Sequence, residues 1–267
     1  MRAPGSSANL GPGFDVLGVA FSRYAWACDQ PGGDHCGPDH IARIAYEEAG
    51  GQGDIWFGFD IEPGRGLGFS GAARAAGAVL AKIQQGHGLA EAQRLAYPVV
   101  ASIEGHGDNA APSVFGGMHV IAGDRQHRIQ APLPGQLLCW VPEFETVTDD
   151  SRLELSSSID RADAVFNLGR VGLLIAAIYE GDLSLLRQAT QDRLHQPHRL
   201  AHCAPARRAL EAALDHGAAA AWLSGSGPAI AIIVEADRAD VVVDALPADG
   251  KVLHLDVDDQ GAVLIDI

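Results

Sequence analysis

The sequence predicts a globular protein in which α-helices and β-strands alternate along the chain, and three observations support this fold class. The chain has 267 residues, more than one typical domain of roughly 100–200 residues, so a sizeable core can form. Of these residues, 47% are hydrophobic and 20% are charged, a composition far from that of disordered proteins. Segments with helical spacing of apolar residues also alternate with short strand-like segments, without an internal repeat.

The predicted elements follow from local spacing and from turn residues. Residues 1–20 are rich in Gly, Pro, Ser and Asn and predict an ordered turn, because large apolar residues come directly after it. Asp39 is the predicted N-cap of the first helix. The segment 161–181 predicts a long helix, because its apolar residues recur three and four positions apart. In order, the remaining predictions are a helix over 40–49, a strand over 55–63, helices over 70–85 and 89–104, strands over 113–123 and 136–143, a helix over 205–217, a strand over 229–236, a helix near 239–245 and a hairpin over 251–267.

A break in this pattern divides the chain into two predicted domains. The segment 132-PLPG-135 interrupts the alternation, and Pro and Gly are the strongest local breakers of regular structure. We therefore expect an N-terminal domain over 1–131 and a C-terminal domain over 132–267.

Charge, cysteine spacing and hydropathy disfavour several classes of partner. Acidic residues number 34 and basic residues 19, and the formal charge of −15 disfavours a nucleic-acid partner. The four cysteines form no Cys-x-x-Cys pair, so neither a zinc ribbon nor a thioredoxin-type site is indicated, and a reduced cytosol is the simplest setting. Apolar runs such as 173–179 are far shorter than the roughly 20 residues that span a membrane, so we expect a cytoplasmic protein without a membrane partner.

The segment 66-GLGFSG-71 has the form G-x-G-x-x-G between a predicted strand and a predicted helix. A dinucleotide loop would need an acidic residue at the end of a second strand about 20 residues later, but residues 84–93 predict a helix end and a turn. A Walker A loop is excluded because the chain has no Gly-Lys-Ser/Thr, and its two lysines are Lys82 and Lys251. Glycines and the free N–H groups of a helix start still favour an anion, most naturally phosphate. A glycine-rich turn without a ligand is the alternative.

Two further segments are rich in polar residues or in glycine. In 104-EGHGDNAAPSVFGG-117, a carboxylate, an imidazole, a second carboxylate and an amide fall within six residues, just past a predicted helix end. Glu104 together with Ser70 suits a Mg²⁺ ion that bridges phosphates, whereas Glu104 and His106 alone lack the remaining ligands of a zinc site. The segment 224-SGSGP-228 is a glycine turn before a strand. Solvated loop residues in the first segment and a tight turn in the second are the alternatives.

Taken together and in this order, the motifs resemble those of the GHMP kinase superfamily, most closely the homoserine kinases. The first family motif is present as 4-PGSSANLGPGFDVLGVA-20, and the glycine loop corresponds to Gly-Leu-Gly-Ser-Ser-Ala. The segment 104-EGHGDN-109 corresponds to Glu-x-His-Pro-Asp-Asn, and 224-SGSGP-228 to the third motif. Segments 163–170 and 192–199 are also similar, so the resemblance covers nearly the whole chain.

The resemblance implies an α+β GHMP kinase fold, with an S5-like N-terminal domain and a ferredoxin-like C-terminal domain. It implies transfer of the γ-phosphoryl group of ATP, with Mg²⁺, to the side-chain hydroxyl of L-homoserine in threonine biosynthesis, and a homodimer is the candidate assembly. It also implies that the triphosphate is wrapped by Gly66, Leu67, Gly68, Phe69, Ser70 and Gly71, that Mg²⁺ is held by Ser70 and Glu104, and that the amino acid is bound by Asn9, Asp15, His106, Thr148, Arg152, Arg199 and Gly225.

The residue types at these positions fit this chemistry. Asp15 can bind the ammonium group, and Arg152 and Arg199 can each donate two hydrogen bonds to the carboxylate. Homoserine kinases carry Asn where other superfamily members have an Asp base, and here that residue is Asn109. We therefore nominate no general base and expect Asn109 to position the substrate while the site stabilises a loose transition state.

Three departures from the family pattern leave alternatives open. Position 69 is Phe where the family has Ser; only Met1 to Ala3 precede the first motif, so the usual opening strand is expected to be nearly absent; and segment 28–40 is short where the family builds its nucleoside pocket. The ring of Phe69 either packs on a neighbouring helix or strand or covers the phosphate site. The alternative functions are a GHMP kinase for another small alcohol and a non-catalytic relative that binds an amino acid or a nucleotide.

Overall fold

The structure, a computed structural model, describes residues 1–143, Leu155 and residues 158–265. Within these residues, ten strands and nine α-helices build two sheets with helices packed on them. In chain order the elements are β1 (Arg2–Ala8), β2 (Leu17–Cys28), β3 (Asp34–His35), α1 (Ile41–Glu48), β4 (Trp56–Phe59), α2 (Phe69–Gln84), α3 (Leu89–Glu104), α4 (Ala110–Phe115), β5 (Met118–Ala122), β6 (Arg125–Arg128), β7 (Gln136–Pro142), α5 (Arg161–Glu180), α6 (Leu183–Ala189), α7 (Gln196–Ala201), α8 (Ala204–Asp215), β8 (Ala220–Leu223), β9 (Ile230–Val234), α9 (Ala239–Ala245) and β10 (Gly250–Leu255).

Both sheets are antiparallel. In the first sheet the strand order is β3-β4-β2-β5-β6, and β1 pairs with β2 beside this path. In the second sheet the order is β10-β7-β9-β8. Separate antiparallel sheets combined with helices confirm the predicted α+β class. The helices predicted over 40–49, 70–85, 89–104, 161–181, 205–217 and 239–245 and the strands predicted over 136–143 and 229–236 are confirmed to within two residues at each end.

Residues 2–8 form strand β1 rather than the predicted turn, which occupies only residues 9–16. The strand pairs with β2, with a bulge between Pro4 and Gly5. Its small residues let the glycine loop lie directly beside it, since a Cβ on Gly5 would be 2.7 Å from the carbonyl oxygen of Leu67. The low hydrophobicity of this segment therefore reflects close backbone contact. The expectation that the opening strand is nearly absent is also wrong, because the first motif itself forms that strand.

Two further local predictions in the N-terminal half are wrong. The segment predicted as one strand over 113–123 is divided between α4, which ends at Phe115, and β5. A helix of six residues is too short to show a helical period in the sequence. The N-cap of α1 is His40 rather than Asp39, because the Nδ1 atom of His40 accepts a hydrogen bond from the backbone N–H of Ala42 at 3.2 Å.

The C-terminal segment returns to the first sheet instead of forming the predicted hairpin. After β10 pairs with β7, Val257 forms a bridge with Phe21 and Val263 forms a bridge with Arg2. Between these bridges, the buried carboxylate of Asp258 accepts hydrogen bonds from two backbone N–H groups of the next turn, at 2.9 and 2.7 Å. Local alternation in the sequence cannot show such pairing, because the partner strand lies at the other end of the chain.

Helix α2 positions the glycine loop through close packing. Its predicted run of small residues is buried, and a Cβ on Gly77 would lie 2.1 Å from the carbonyl oxygen of Ala42 in α1. A continuous apolar core joins these helices to one face of the second sheet, whose other face is covered by α8 and α9. The first sheet lies within residues 2–128 and the second within residues 136–255, and the division at 131/132 into two domains stays a prediction.

Candidate active site

A cavity of about 140 Å³ lies where the glycine loop meets segments 104–109 and 224–226. The predicted site residues that line it are Asn9, Gly66, Leu67, Gly68, Phe69, Ser70, Glu104, His106, Asn109, Arg199 and Gly225. A larger cavity of about 510 Å³ lies between the two sheets and is lined mainly by apolar residues such as Met118 and Leu133. Because the charged and polar predicted residues converge on the smaller cavity, we take it as the candidate active site.

The glycine loop requires glycine at two positions. Gly66 and Gly68 have φ angles of +77° and +67°, a region that disfavours other residues. A Cβ on Gly66 would lie 2.2 Å from the carbonyl oxygen of Ser224, and a Cβ on Gly68 would lie 2.3 Å from the Oγ atom of Ser6. Gly68 is the N-cap of α2, so the first backbone N–H groups of this helix have no acceptor within the helix and can bind an anion at the cavity.

The other loop residues have different environments. The side chain of Leu67 is buried in the core. The half-buried ring of Phe69 packs edge-on against Phe57 and Phe59, with centroid separations of 6.1 and 4.9 Å. Gly71 allows close packing of α2 on α4, because a Cβ there would be 3.2 Å from the Cβ of Asn109. Phe69 therefore packs on a neighbouring strand, although its position also borders the cavity.

Ser70 and Glu104 meet at one wall of the cavity. The Oγ atom of Ser70 donates a hydrogen bond to the Oε2 atom of Glu104 at 3.2 Å. The other oxygen of Glu104 forms an ion pair with Arg74, which balances the charge of a carboxylate that is only 5% exposed. A hydroxyl and a carboxylate oxygen beside an anion-binding helix start are ligands that suit Mg²⁺.

A second group of charged side chains surrounds His106. The buried carboxylate of Asp108 binds the Nδ1 atom of His106 and accepts a hydrogen bond from the backbone N–H of Asn109 at 3.0 Å. Ligand atoms of Asp15, His106 and Asp108 all lie within 4.8 Å of one another. The Oδ1 atom of Asn109 accepts a hydrogen bond from the Oγ atom of Ser6 at 2.8 Å, and this contact fixes the orientation of the side-chain amide of Asn109. Two carboxylates this close favour a cationic ligand group.

The turn after β1 carries Asn9 and Asp15 in left-handed backbone conformations, with φ angles of +73° and +59°. Such angles are strained for residues other than glycine and are common at functional sites. The side chain of Asn9 stabilises the turn, since its Oδ1 atom accepts a hydrogen bond from the backbone N–H of Asp15 at 3.1 Å. Its Nδ2 atom donates to the carbonyl oxygen of Gly225 at 2.9 Å, which links the first motif to the third.

Arg199 reaches the same carbonyl from α7. Its Nη1 atom donates to the oxygen of Gly225 and to the Nδ1 atom of His195, both at 3.2 Å. His195 is fully buried, and its Nε2 atom donates to the carbonyl oxygen of Gly11 at 2.8 Å. Burial lowers the pKa of His195, so the ring stays neutral near pH 7 and can accept from Arg199. Arg199 is thus a buried cation held in place at the cavity.

Sequence reasoning did not single out three residues that support the site. Arg74 lies four residues after Ser70, and the spacing i, i+4 places both on one face of α2, a signal that was available. Asp108 was part of the polar segment but had no assigned role. His195 is four residues before Arg199 but lies at the N-cap of α7, a helix that was not predicted. The predicted substrate residues Thr148 and Arg152 lie outside the described residues.

Comparison with known proteins identifies the class of protein to which this fold and site belong. Residues 174–252 match the family described as GHMP kinases C terminal. The solved structure of L. major mevalonate kinase in complex with R-mevalonate superimposes with a TM-score of 0.68, covering 98% of this chain and 96% of that one. At 17% identity, this likeness shows the fold alone. The protein therefore has the GHMP kinase fold, as the motifs predict.

Within that superfamily, the chain belongs to the homoserine kinase family. It is 37% identical to the homoserine kinase of Desulfitobacterium hafniense over an aligned length of 296 residues, which covers 99% of each protein. A homoserine kinase of Thermus thermophilus is 36% identical over 285 residues, covering 96% of this chain and 95% of its own. The crystal structure of homoserine kinase from Cytophaga hutchinsonii superimposes with a TM-score of 0.81 at 26% identity, covering 97% of this chain and 95% of that one.

Proposed function

We propose that this protein transfers the γ-phosphoryl group of ATP to the side-chain hydroxyl of L-homoserine, giving O-phospho-L-homoserine. The observation that carries the proposal is that an anion-binding helix start, the carboxylate of Asp108 and the guanidinium of Arg199 line one small cavity, with Asp15 beside Asp108. Transfer between two bound substrates requires their reacting atoms to share one space. The names of the relatives, which are homoserine kinases, support the same acceptor.

The glycine loop forms the donor side of the site. Backbone N–H groups at the start of α2 bind the phosphate oxygens, and no lysine is needed for this contact. Ser70 and Glu104 would hold Mg²⁺, because their oxygens are 3.2 Å apart and hard oxygen ligands suit this ion. Bound there with ATP, Mg²⁺ supplies charge neutralisation of the phosphate oxygens.

The acceptor side binds an amino acid by charge. The ammonium group of L-homoserine binds near Asp15, where the carboxylate of Asp108 adds to the negative potential. The carboxylate of the substrate binds Arg199, which is buried and held at the cavity by Gly225. Mevalonate lacks an ammonium group and a neutral sugar lacks both charges, so these side chains favour an amino acid over either alternative.

Positioning and electrostatics account for the transfer step without a general base. Asn109 lines the cavity, and its amide is oriented by Ser6. An amide cannot accept the hydroxyl proton as a carboxylate would, but a loose phosphoryl-transfer transition state depends mainly on alignment and charge stabilisation. Asn109 therefore positions the acceptor hydroxyl. The reaction belongs to threonine biosynthesis in the cytoplasm, as the resemblance implies.

A coupled assay with purified protein and Mg-ATP tests this proposal. The acceptor panel is L-homoserine, threonine, mevalonate and galactose, and we expect the highest kcat/KM for L-homoserine. A higher kcat/KM for mevalonate or galactose would instead indicate a GHMP kinase for another small alcohol. Calorimetry separates the remaining alternative, because binding of L-homoserine and ATP without turnover would identify a non-catalytic relative.

A further inference from the structure

Arg74 is the one charged residue in segment 69–81 of α2, whose other members are small, apolar or carry a hydroxyl group. It lies four residues after Ser70, so both side chains project from the same face of the helix. The Nη1 atom of Arg74 forms an ion pair with the Oε1 atom of Glu104, and the Oγ atom of Ser70 donates to its Oε2 atom at 3.2 Å. One face of α2 therefore holds both oxygens of the Glu104 carboxylate, at the end of α3.

This ion pair is buried at its acidic end. The side chain of Glu104 is 5% exposed, whereas Glu47 and Asp54, the carboxylates that pair with Arg43, are 51% and 60% exposed. Exposed pairs are screened by water and fix little. A buried carboxylate is costly to leave unpaired, and a charge-assisted hydrogen bond to it fixes geometry. Arg74 therefore sets both the orientation and the net charge of the Glu104 carboxylate group.

Arg74 acts on the cavity through Glu104. Ser70 and Glu104 line the cavity, and Arg74 is not among the described residues that do. Because the guanidinium binds the Oε1 atom, the Oε2 atom beside Ser70 is the carboxylate oxygen available to a metal ion. The positive charge of Arg74 lies on the same carboxylate, so it also repels a cation bound there.

We propose that Arg74 is a positioning residue that makes metal binding depend on the nucleotide. The inference rests on the proposed function, in which Ser70 and Glu104 hold Mg²⁺. Arg74 neutralises the Glu104 carboxylate, so the protein alone binds the ion weakly. Phosphate oxygens at the start of α2 add the negative charge that favours the ion, and Mg²⁺ commonly combines one or two carboxylates with phosphates. The ion therefore enters the site with ATP rather than before it.

Titration with Mn²⁺, followed by electron paramagnetic resonance, tests the proposal without turnover, because Mn²⁺ takes the same kinds of oxygen ligand as Mg²⁺. The whole chain is titrated alone and with a non-hydrolysable ATP analogue, and no acceptor is added. We expect the wild-type protein to bind Mn²⁺ tightly only with the analogue. Arg74→Gln removes the charge, so binding of Mn²⁺ to the protein alone should tighten roughly tenfold or more. Arg74→Lys keeps the charge, so its Kd should stay near that of wild type.

Two controls locate the effect. Arg43→Gln removes an arginine of α1 whose side chain is 20% exposed, as that of Arg74 is, and it should leave both dissociation constants unchanged. The double variant Arg74→Gln/Glu104→Gln should lose the tighter binding, because the carboxylate that Arg74 neutralised is gone. Melting temperatures show whether each variant is folded, and Arg74→Met carries the same expectation should Arg74→Gln fail to fold.

A purely structural tie between α2 and α3 gives a different result. In that case Arg74→Gln lowers the melting temperature but leaves the Kd of the protein alone for Mn²⁺ unchanged, which would overturn the proposal. Tighter binding that persists in the double variant, or that Arg43→Gln reproduces, would also overturn it. The acceptor is tested separately by the coupled assay. A wild-type protein that is inactive toward L-homoserine, but whose metal binding responds to Arg74→Gln as expected, would contradict the proposed acceptor and support the role of Arg74.

Discussion

At the scale of single residues, Arg199 offers a direct test of acceptor binding. Losing a charged contact to a buried substrate typically costs about 2–5 kcal/mol, so Arg199→Ala should raise the KM for L-homoserine well over tenfold. The KM for ATP should stay near that of wild type, because the donor binds at the start of α2. Steady-state kinetics with each substrate varied in turn measure both values. Arg208→Ala, which removes an exposed arginine of α8, is the control. An unchanged KM for L-homoserine in Arg199→Ala would show that Arg199 does not bind the carboxylate of the substrate.

Glu104 is the residue on which the metal proposal depends. Glu104→Gln keeps the size of the side chain but removes the charge, so we expect a large loss of kcat and weaker nucleotide-dependent Mg²⁺ binding. Titration of Mg²⁺ at fixed ATP measures this effect. Because the substitution also breaks the ion pair with Arg74, Arg74→Gln is needed as a control for the loss of that pair alone. If kcat and Mg²⁺ affinity both survive Glu104→Gln, the metal site lies elsewhere.

Phe69 distinguishes a working kinase from a blocked one. Its ring packs on Phe57 and Phe59, so Phe69→Ser should destabilise the protein, by less than the roughly 3–5 kcal/mol of a fully buried Phe-to-small change because the ring is half-buried. The loop donors are backbone N–H groups, so kcat/KM should stay within about tenfold, or about 1.4 kcal/mol. Urea unfolding and kinetics check the two parts. An inactive wild-type protein that Phe69→Ser activates without loss of stability would show that the ring obstructs the phosphate site.

The site residues that can be found from the sequence lie in contiguous motifs. Ser70 stands in the glycine loop, and Glu104 and Asn109 stand in one short polar segment, so the sequence alone marks them as candidates. Arg74 and His195 act through neighbours that the fold supplies, namely Glu104 from another helix and Gly11 from the turn after β1. Contacts between distant segments of this kind leave no local pattern.

At the scale of elements, the start of α2 depends on Gly68. Its φ of +67° and the 2.3 Å contact that a Cβ would make with the Oγ atom of Ser6 both oppose any side chain. We expect Gly68→Ala to displace the loop from β1, lower the melting temperature and reduce kcat/KM by roughly a hundredfold or more. Thermal unfolding and kinetics measure these changes.

Gly88 provides the matched control for that substitution. It is the N-cap of α3, its φ is −68°, and a Cβ there would have no described neighbour within 4 Å. Gly88→Ala should therefore leave activity unchanged and alter stability by about 1 kcal/mol or less. Equal losses in the two variants would show that the Gly68 conformation has no special role.

The element predictions were right where local spacing and turn residues define an element, as in α2, whose run of small residues is buried, and in α5, which ends at Gly181. They were wrong where an element owes its form to a distant partner. β1 has almost no large apolar side chains, because β2 and the glycine loop approach its backbone closely. A strand of that kind has the composition of a turn.

At the scale of the whole molecule, two buried histidines make stability depend on pH. Burial lowers the pKa of both His119, in the first sheet, and His195, beside the active site. Below the ordinary histidine pKa of about 6.5, the folded protein binds fewer protons at these two rings than the unfolded chain does, so this stability is present above that pH and is lost as the pH falls. The free energy of unfolding should decrease by up to about 1.4 kcal/mol per pH unit for each histidine.

Urea unfolding at pH 7.5, 6.5 and 5.5 measures this dependence. His254→Gln, which replaces an exposed histidine of β10, should leave the slope unchanged. A free energy of unfolding that stays level or rises between pH 7.5 and pH 5.5 would contradict the prediction.

The return of residues 256–263 to the first sheet sets an order of events during synthesis. A ribosome releases the N-terminal strands first, and domains usually fold as they emerge. Here Arg2 and Phe21, which pair with Trp26 and Gly5 between β1 and β2, gain their second partners only when Val263 and Val257 have emerged, after the strands of the second sheet. Until then the first sheet carries an open edge, the kind of surface that pairs with other chains. Nascent chains that stall just before residue 256 should therefore depend on chaperones far more than finished ones.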